Sequence, residues 1–74
     1  MEFRWNAWNV AHIAEHGVTP EEAEHVVRFT KRHQRHRRGT RIVYGRGNSN
    51  RKLQVVYSRD ADGTIYVIHA MPHR

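Results

Sequence analysis

Two runs decide how this chain folds: Leu53-Gln54-Val55-Val56-Tyr57-Ser58 and Ile65-Tyr66-Val67-Ile68-His69-Ala70, separated by the turn residues Asp60-Ala61-Asp62-Gly63. Both are rich in β-branched and aromatic side chains, and both alternate. Leu53, Val55 and Tyr57 stand against Gln54, Val56 and Ser58; Ile65, Val67 and His69 stand against Tyr66, Ile68 and Ala70. A period of two on either side of an Asp/Gly turn is the pattern of a β-hairpin. A third run, Arg41 to Gly45, precedes them across Gly47-Asn48-Ser49-Asn50. The second half therefore reads as an antiparallel meander.

Upstream the period changes to that of helices. Thr19-Pro20-Glu21-Glu22 is a start signal: Thr19 caps, Pro20 fits the first helical position, and Glu22 completes a capping box. Ala23, Val26 and Val27 form the buried stripe, and the helix should end near Phe29 or Thr30. Before it, Asn6 caps a helix from Ala7 to His16, with Gly17 as the left-handed stop. Val10, Ile13, Ala14 and Gly17 follow helical spacing and should face the core, widened by Trp8 and Ala11. Phe3-Arg4-Trp5 reads as a short edge strand. The expectation is one α+β domain over residues 1–74, with two helices packed on one face of a three- to four-stranded antiparallel sheet.

Composition narrows the function classes. A chain of 74 residues has a thin core and no room for a deep cofactor pocket. With no cysteine there are no disulfides, thiolate zinc sites or cysteine nucleophile, which favours a reducing cytoplasm. No apolar run approaches a membrane span, and Met1-Glu2-Phe3-Arg4-Trp5 lacks a signal-peptide pattern. The net charge of +6 is unevenly placed: the only cation in residues 1–25 is Arg4, facing five glutamates, whereas twelve Lys/Arg in residues 26–74 face only Asp60 and Asp62. Lys31, Arg32, Arg35, Arg37, Arg38 and Arg41 are concentrated in one stretch that has almost nothing to bury, so it reads as an exposed loop. Clustered arginine suits bidentate phosphate contact and carries no base specificity. RNA or another acidic partner is the ligand these residues call for.

Two groups could do chemistry. His12 and His16 share a helix face and could hold a metal if a third ligand came from elsewhere; the simpler reading is His16 bonding free carbonyls at the helix end. On or beside the strands lie Arg46, Arg51, Arg59, Tyr57, His69 and His73, the residue types that metal-independent RNA cleavage needs to move protons and hold a phosphate. Tyr57 and His69 fall in the odd-numbered sets and can share a face, depending on register. His33 and His36 read as part of the basic tract. No cofactor motif is present.

Phe3-Arg4-Trp5-Asn6, His12-Ile13-Ala14-Glu15-His16-Gly17-Val18-Thr19-Pro20-Glu21-Glu22-Ala23, Tyr44-Gly45-Arg46, Leu53-Gln54-Val55-Val56-Tyr57 and Ile65-Tyr66-Val67-Ile68-His69-Ala70 together resemble the BrnT-like toxins. These are ribonucleases of type II toxin–antitoxin pairs within the RelE/ParE-like fold group. The resemblance implies that fold, metal-independent RNA cleavage, a substrate that includes ribosome-associated mRNA, and an antitoxin partner that covers the basic surface. It implies catalytic roles for Arg46 and Arg59 on phosphate and for His69 or Tyr57 on the proton, with Lys31, Arg32, Arg35, Arg37, Arg38, Arg41 and Arg51 binding RNA. Two features depart from the family. Met71-Pro72-His73-Arg74 stands where relatives carry an Ala-Arg pair and a basic, Glu-containing helix, so His73 or Arg74 would have to take that arginine's place. The stretch 31–41 is also far more basic than in relatives. A noncatalytic binding module of the same fold is the alternative.

Overall fold

A computed structural model describes residues 1–73. In chain order it holds β1 (Phe3–Arg4), α1 (Ala7–Ala14), α2 (Pro20–Phe29), β2 (Gln34–Arg35), a single 3-10 turn (Arg37–Gly39), β3 (Arg41–Arg46), β4 (Lys52–Arg59) and β5 (Ile65–Pro72). Arg74, one of the two stand-ins named for the family's arginine, lies outside the described residues.

The strands form one sheet in the order β1-β5-β4-β3-β2. The meander β3-β4-β5 is antiparallel as expected, and β2 joins β3 antiparallel, but β1 runs parallel to β5. The α+β class holds; the sheet is five-stranded and mixed rather than antiparallel with three to four strands. Both additional pairings are two residues long. β1 meets a strand from the far end of the chain, and a parallel pairing has no turn of its own to announce it. β2 arises inside the stretch expected to be loop, where His36 N–H donates to Thr40 O and lays Gln34 and Arg35 beside Ile42 and Arg41.

Between Val56 and Tyr57 the β4–β5 register slips, so that Val56 faces His69 while Tyr57 faces Val67. This bulge moves the buried set of β5 from Ile65 and Val67 to Ala70 and breaks the simple alternation seen in the sequence. The core lies between the helices and this face of the sheet: Ile13, Val18, Ala23, Val26 and Val27 pack on Val43, Leu53, Val55, Tyr57 and Val67.

Both helix starts are as read. Asn6 and Asn9 form a reciprocal capping box on α1, and Thr19 and Glu22 form one on α2. Gly17 is left-handed at φ 72°. However, α1 ends at Ala14 rather than His16, and it buries Asn9 and Ile13. Val10 and Trp8 are exposed, as are Ala11 and Ala14. The cause is Asn9, wholly buried in the middle of the inward face. Its Nδ2 donates to the carbonyls of Arg4 and Val67, both at 3.1 Å, and its Oδ1 accepts from Asn6 N–H at 2.8 Å. An asparagine here ties α1 to the parallel β1–β5 junction, which an apolar periodicity cannot reveal. Asn9→Ala should lower the free energy of unfolding by about 2–3 kcal/mol, because buried backbone groups lose their partners. Urea melts measure this; a loss under ~0.5 kcal/mol would mean water substitutes for the side chain. No helix of the described residues is long and apolar enough to cross a membrane.

Candidate functional site

Tyr57 and Arg59 are two apart on β4, so they project from one face. Arg41 at the start of β3 is the cross-strand partner of Tyr57. The three residues therefore converge by register alone. The chain between α2 and β3 closes over them. Arg38 (φ 56°) and Gly39 (φ 77°) are successive left-handed residues that turn it back toward the sheet. The result is a cleft of about 370 Å³ lined by His33, Gly39, Arg41, Tyr57 and Arg59. A shallower hollow lined by Arg35, His36, Gly39, Thr40 and Arg41 continues from it along the basic stretch.

At the floor of the cleft His33 links two groups. One ring nitrogen, Nε2, lies 2.7 Å from the carbonyl oxygen of Thr30, and the other, Nδ1, lies 2.6 Å from the Tyr57 hydroxyl. A carbonyl only accepts, so Nε2 carries the hydrogen. With Nδ1 free of hydrogen, the ring can offer its lone pair there to the Tyr57 O–H. Thr30 is itself the C-cap of α2 and packs tightly over Gly45, where a Cβ would run into its Oγ1. Helix end, imidazole and phenol thus form a fixed hydrogen-bonded line, with the phenol at the cleft and a spare lone pair on its oxygen. Tyr57 is otherwise core, only 1% exposed.

The cations around the cleft are free to meet a ligand. Among the described residues the ion pairs are Arg4–Asp60, Arg28–Glu24 and Arg51–Glu22. Lys31, Arg32, Arg35, Arg37, Arg38, Arg41 and Arg59 take no part in them, and all are exposed. The remaining anticipated residues lie elsewhere. Arg46 is at the opposite end of the β3–β4 ladder, roughly 16 Å from Arg41 along the strand, where it donates to Asn50 O at 2.8 Å. Arg51 donates from Nε and Nη2 to the two carboxylate oxygens of Glu22, and from Nη2 to Gly17 O, so it works as a tether between turn, helix and hairpin. That bonding, with help from Ser49 and Thr19 N–H, holds the Glu22 carboxyl at about 2 despite the opposing effect of its burial.

His69 does not line the Tyr57 cleft. It stands at the bulge of β5, and its ring meets His16 at 5.1 Å and His12 at 5.7 Å between centroids. Trp8 stacks on the far side of His12 at 4.8 Å. Burial and the neighbouring His16 and His12 keep the His69 imidazole below its usual range. His16, expected to bond helix-end carbonyls with its ring, presents that ring to His69 instead. Among the described residues no group of three or more His, Cys, Asp or Glu side chains is set to hold a metal ion as placed.

The residue that sequence reading passed over is His33, absorbed into the basic run around it. Its signal was positional: three residues beyond the C-cap of a helix, an imidazole can reach back to the last free carbonyls. Compared with known proteins, the chain matches no family model, no curated protein and no solved structure.

Proposed function

We propose that this chain is a BrnT-like toxin with a RelE/ParE-like fold, a cytoplasmic ribonuclease that binds RNA through its basic loop and cuts it without a metal in the Tyr57 cleft. The observation that carries the reading is the Thr30–His33–Tyr57 line opening between Arg41 and Arg59. Relative to the residues first singled out, Tyr57 and Arg59 keep their roles and Arg41 moves into the site. His33 joins them, while Arg46, Arg51 and His69 leave it.

The chemistry follows from the donors present. Arg41 and Arg59 hold the scissile phosphate and offset charge as the phosphorus becomes five-coordinate. The ribose 2′-hydroxyl gives its proton to Tyr57 Oη as Tyr57 passes its own to His33 Nδ1. The 2′-oxygen bonds to phosphorus, the bond to the 5′-oxygen breaks, and the relay run backward returns the proton to that oxygen. The products are a 2′,3′-cyclic phosphate and a free 5′-hydroxyl. Lys31, Arg32, Arg35, Arg37 and Arg38 supply affinity along the strand. An antitoxin with an acidic segment would silence the protein by covering the same face.

The test is incubation of the purified protein with total RNA in the presence of a chelator, alongside expression in cells without an antitoxin. Cleavage leaving cyclic-phosphate ends, with growth arrest, is expected. Binding with neither effect would make the chain a noncatalytic module of this fold. Binding itself should weaken roughly 300-fold between 50 and 200 mM salt if about six phosphates are neutralised. Replacing both Arg41 and Arg59 with alanine should flatten the slope of log K against log salt by about 1.4. An unchanged slope would move the phosphate contacts away from the cleft.

A further inference from the structure

The geometry points to a transition-metal site formed by His12, His16 and His69, separate from the Tyr57 cleft. The sequence supplies half of such a site: two histidines four residues apart, lacking a third ligand. The fold supplies the other half. The bulge in β5 leaves His69 with its ring against both of them, 5.1 Å from His16 and 5.7 Å from His12. An ion with metal–nitrogen bonds of ~2.0–2.1 Å and tetrahedral angles holds imidazole centroids ~5 Å apart. The two separations that involve His69 are therefore close to what a shared ion requires.

As placed, no group of three His, Cys, Asp or Glu side chains among the described residues is set to hold an ion, so the three rings must re-aim to share one. The missing adjustment is small. An imidazole turns about its Cβ–Cγ bond, and that bond points through the ring centre, so turning re-aims the nitrogens while the centroids stay in place. The contact that opposes such turns is the stacking of Trp8 on His12 at 4.8 Å. Among the described residues none of the three rings takes part in a side-chain hydrogen bond, in contrast to His25 and His33. Three imidazoles without a carboxylate select Zn²⁺, Ni²⁺ or Co²⁺ over Mg²⁺ or Ca²⁺, which demand oxygen ligands. A bound ion would pin α1 to β5 and leave its fourth position to water. In a small domain without disulfides, a link of that kind stabilises the fold.

The experiment is titration of the intact protein, stripped by chelator, with Zn²⁺ by calorimetry and with Co²⁺ by visible absorption. The expected result is one ion per chain, a rise in melting temperature, and the intense visible bands of tetrahedral Co²⁺. His69→Ala and His16→Ala should each weaken binding by about a hundredfold or more, while Mg²⁺ has no effect. His16 is exposed, so its variant keeps the fold even if the half-buried His69 variant does not. His36→Ala and His73→Ala, on other surfaces, should bind as the parent does. Absence of binding, or binding that survives His16→Ala, would overturn the assignment, as would binding lost in His36→Ala or His73→Ala.

Discussion

Replacing Tyr57 with phenylalanine should leave the fold and the RNA affinity in place and slow RNA cleavage by roughly 10²–10⁴-fold. The ring is needed where it is: it packs among Val27, Val43 and Val67 in the core and is 1% exposed. Phenylalanine keeps that packing and removes only the hydroxyl, with its 2.6 Å bond to His33. The affinity rests on the exposed cations of the loop, which the change does not touch. His33→Ala breaks the same line from the other side, so its effect on rate should be of similar size. The double variant should be scarcely worse than either single one, because groups that act as one relay are not additive. Single-turnover cleavage at saturating protein separates the rate from binding. A Tyr57→Phe protein that cuts at the parental rate would remove the cleft from the mechanism. Loss of binding and cleavage together would instead assign Tyr57 to holding the RNA.

Much of the fold was legible because it is locally encoded. Both helix caps, the capping box on α2, the left-handed Gly17 and the three long strands come from patterns a few residues wide. The parts that were not legible depend on residues far apart. The β1–β5 pairing joins the two ends of the chain, and Asn9 breaks the apolar stripe of α1 in order to serve that junction. The bulge beside Val56 is likewise unmarked, yet it decides where His69 goes. Odd-numbered alternation put Tyr57 and His69 on one face, and the shift in register sent them to different neighbours. Arg51 looked like one more cation of the basic half. Its role as a tether comes from Glu22, which local reading saw only as a capping residue.

That tether gives the second large effect. Arg51→Ala should lower the stability of the protein, read as a lower urea midpoint, because it breaks the two-pronged bond to Glu22. A domain of this length has in total only roughly 4–11 kcal/mol, so the loss of one such tether is readily measured. The Glu22 side chain is 10% exposed and Arg51 is its only cationic partner among the described residues. Without Arg51 a carboxylate is left in a site that disfavours its charge. The pH dependence follows from the same bond. Glu22 ionises at about 2 in the folded protein against the usual 4.5, chiefly through the hydrogen bonds from Arg51, with burial opposing. Because the unfolded chain takes up the proton more readily, the contribution is complete above pH 4.5 and is lost as the pH falls toward about 2. In Arg51→Ala the Glu22 carboxyl should rise back toward or above its usual range. The acid-unfolding midpoint should then move to higher pH, as circular dichroism would show. Glu22→Gln should remove the dependence over that window. RNA affinity, measured cold where both proteins are folded, should be the same for Arg51→Ala and the parent. A drop in affinity without a drop in stability would return Arg51 to the RNA-binding surface and leave the hairpin held by Ser49 and the core alone.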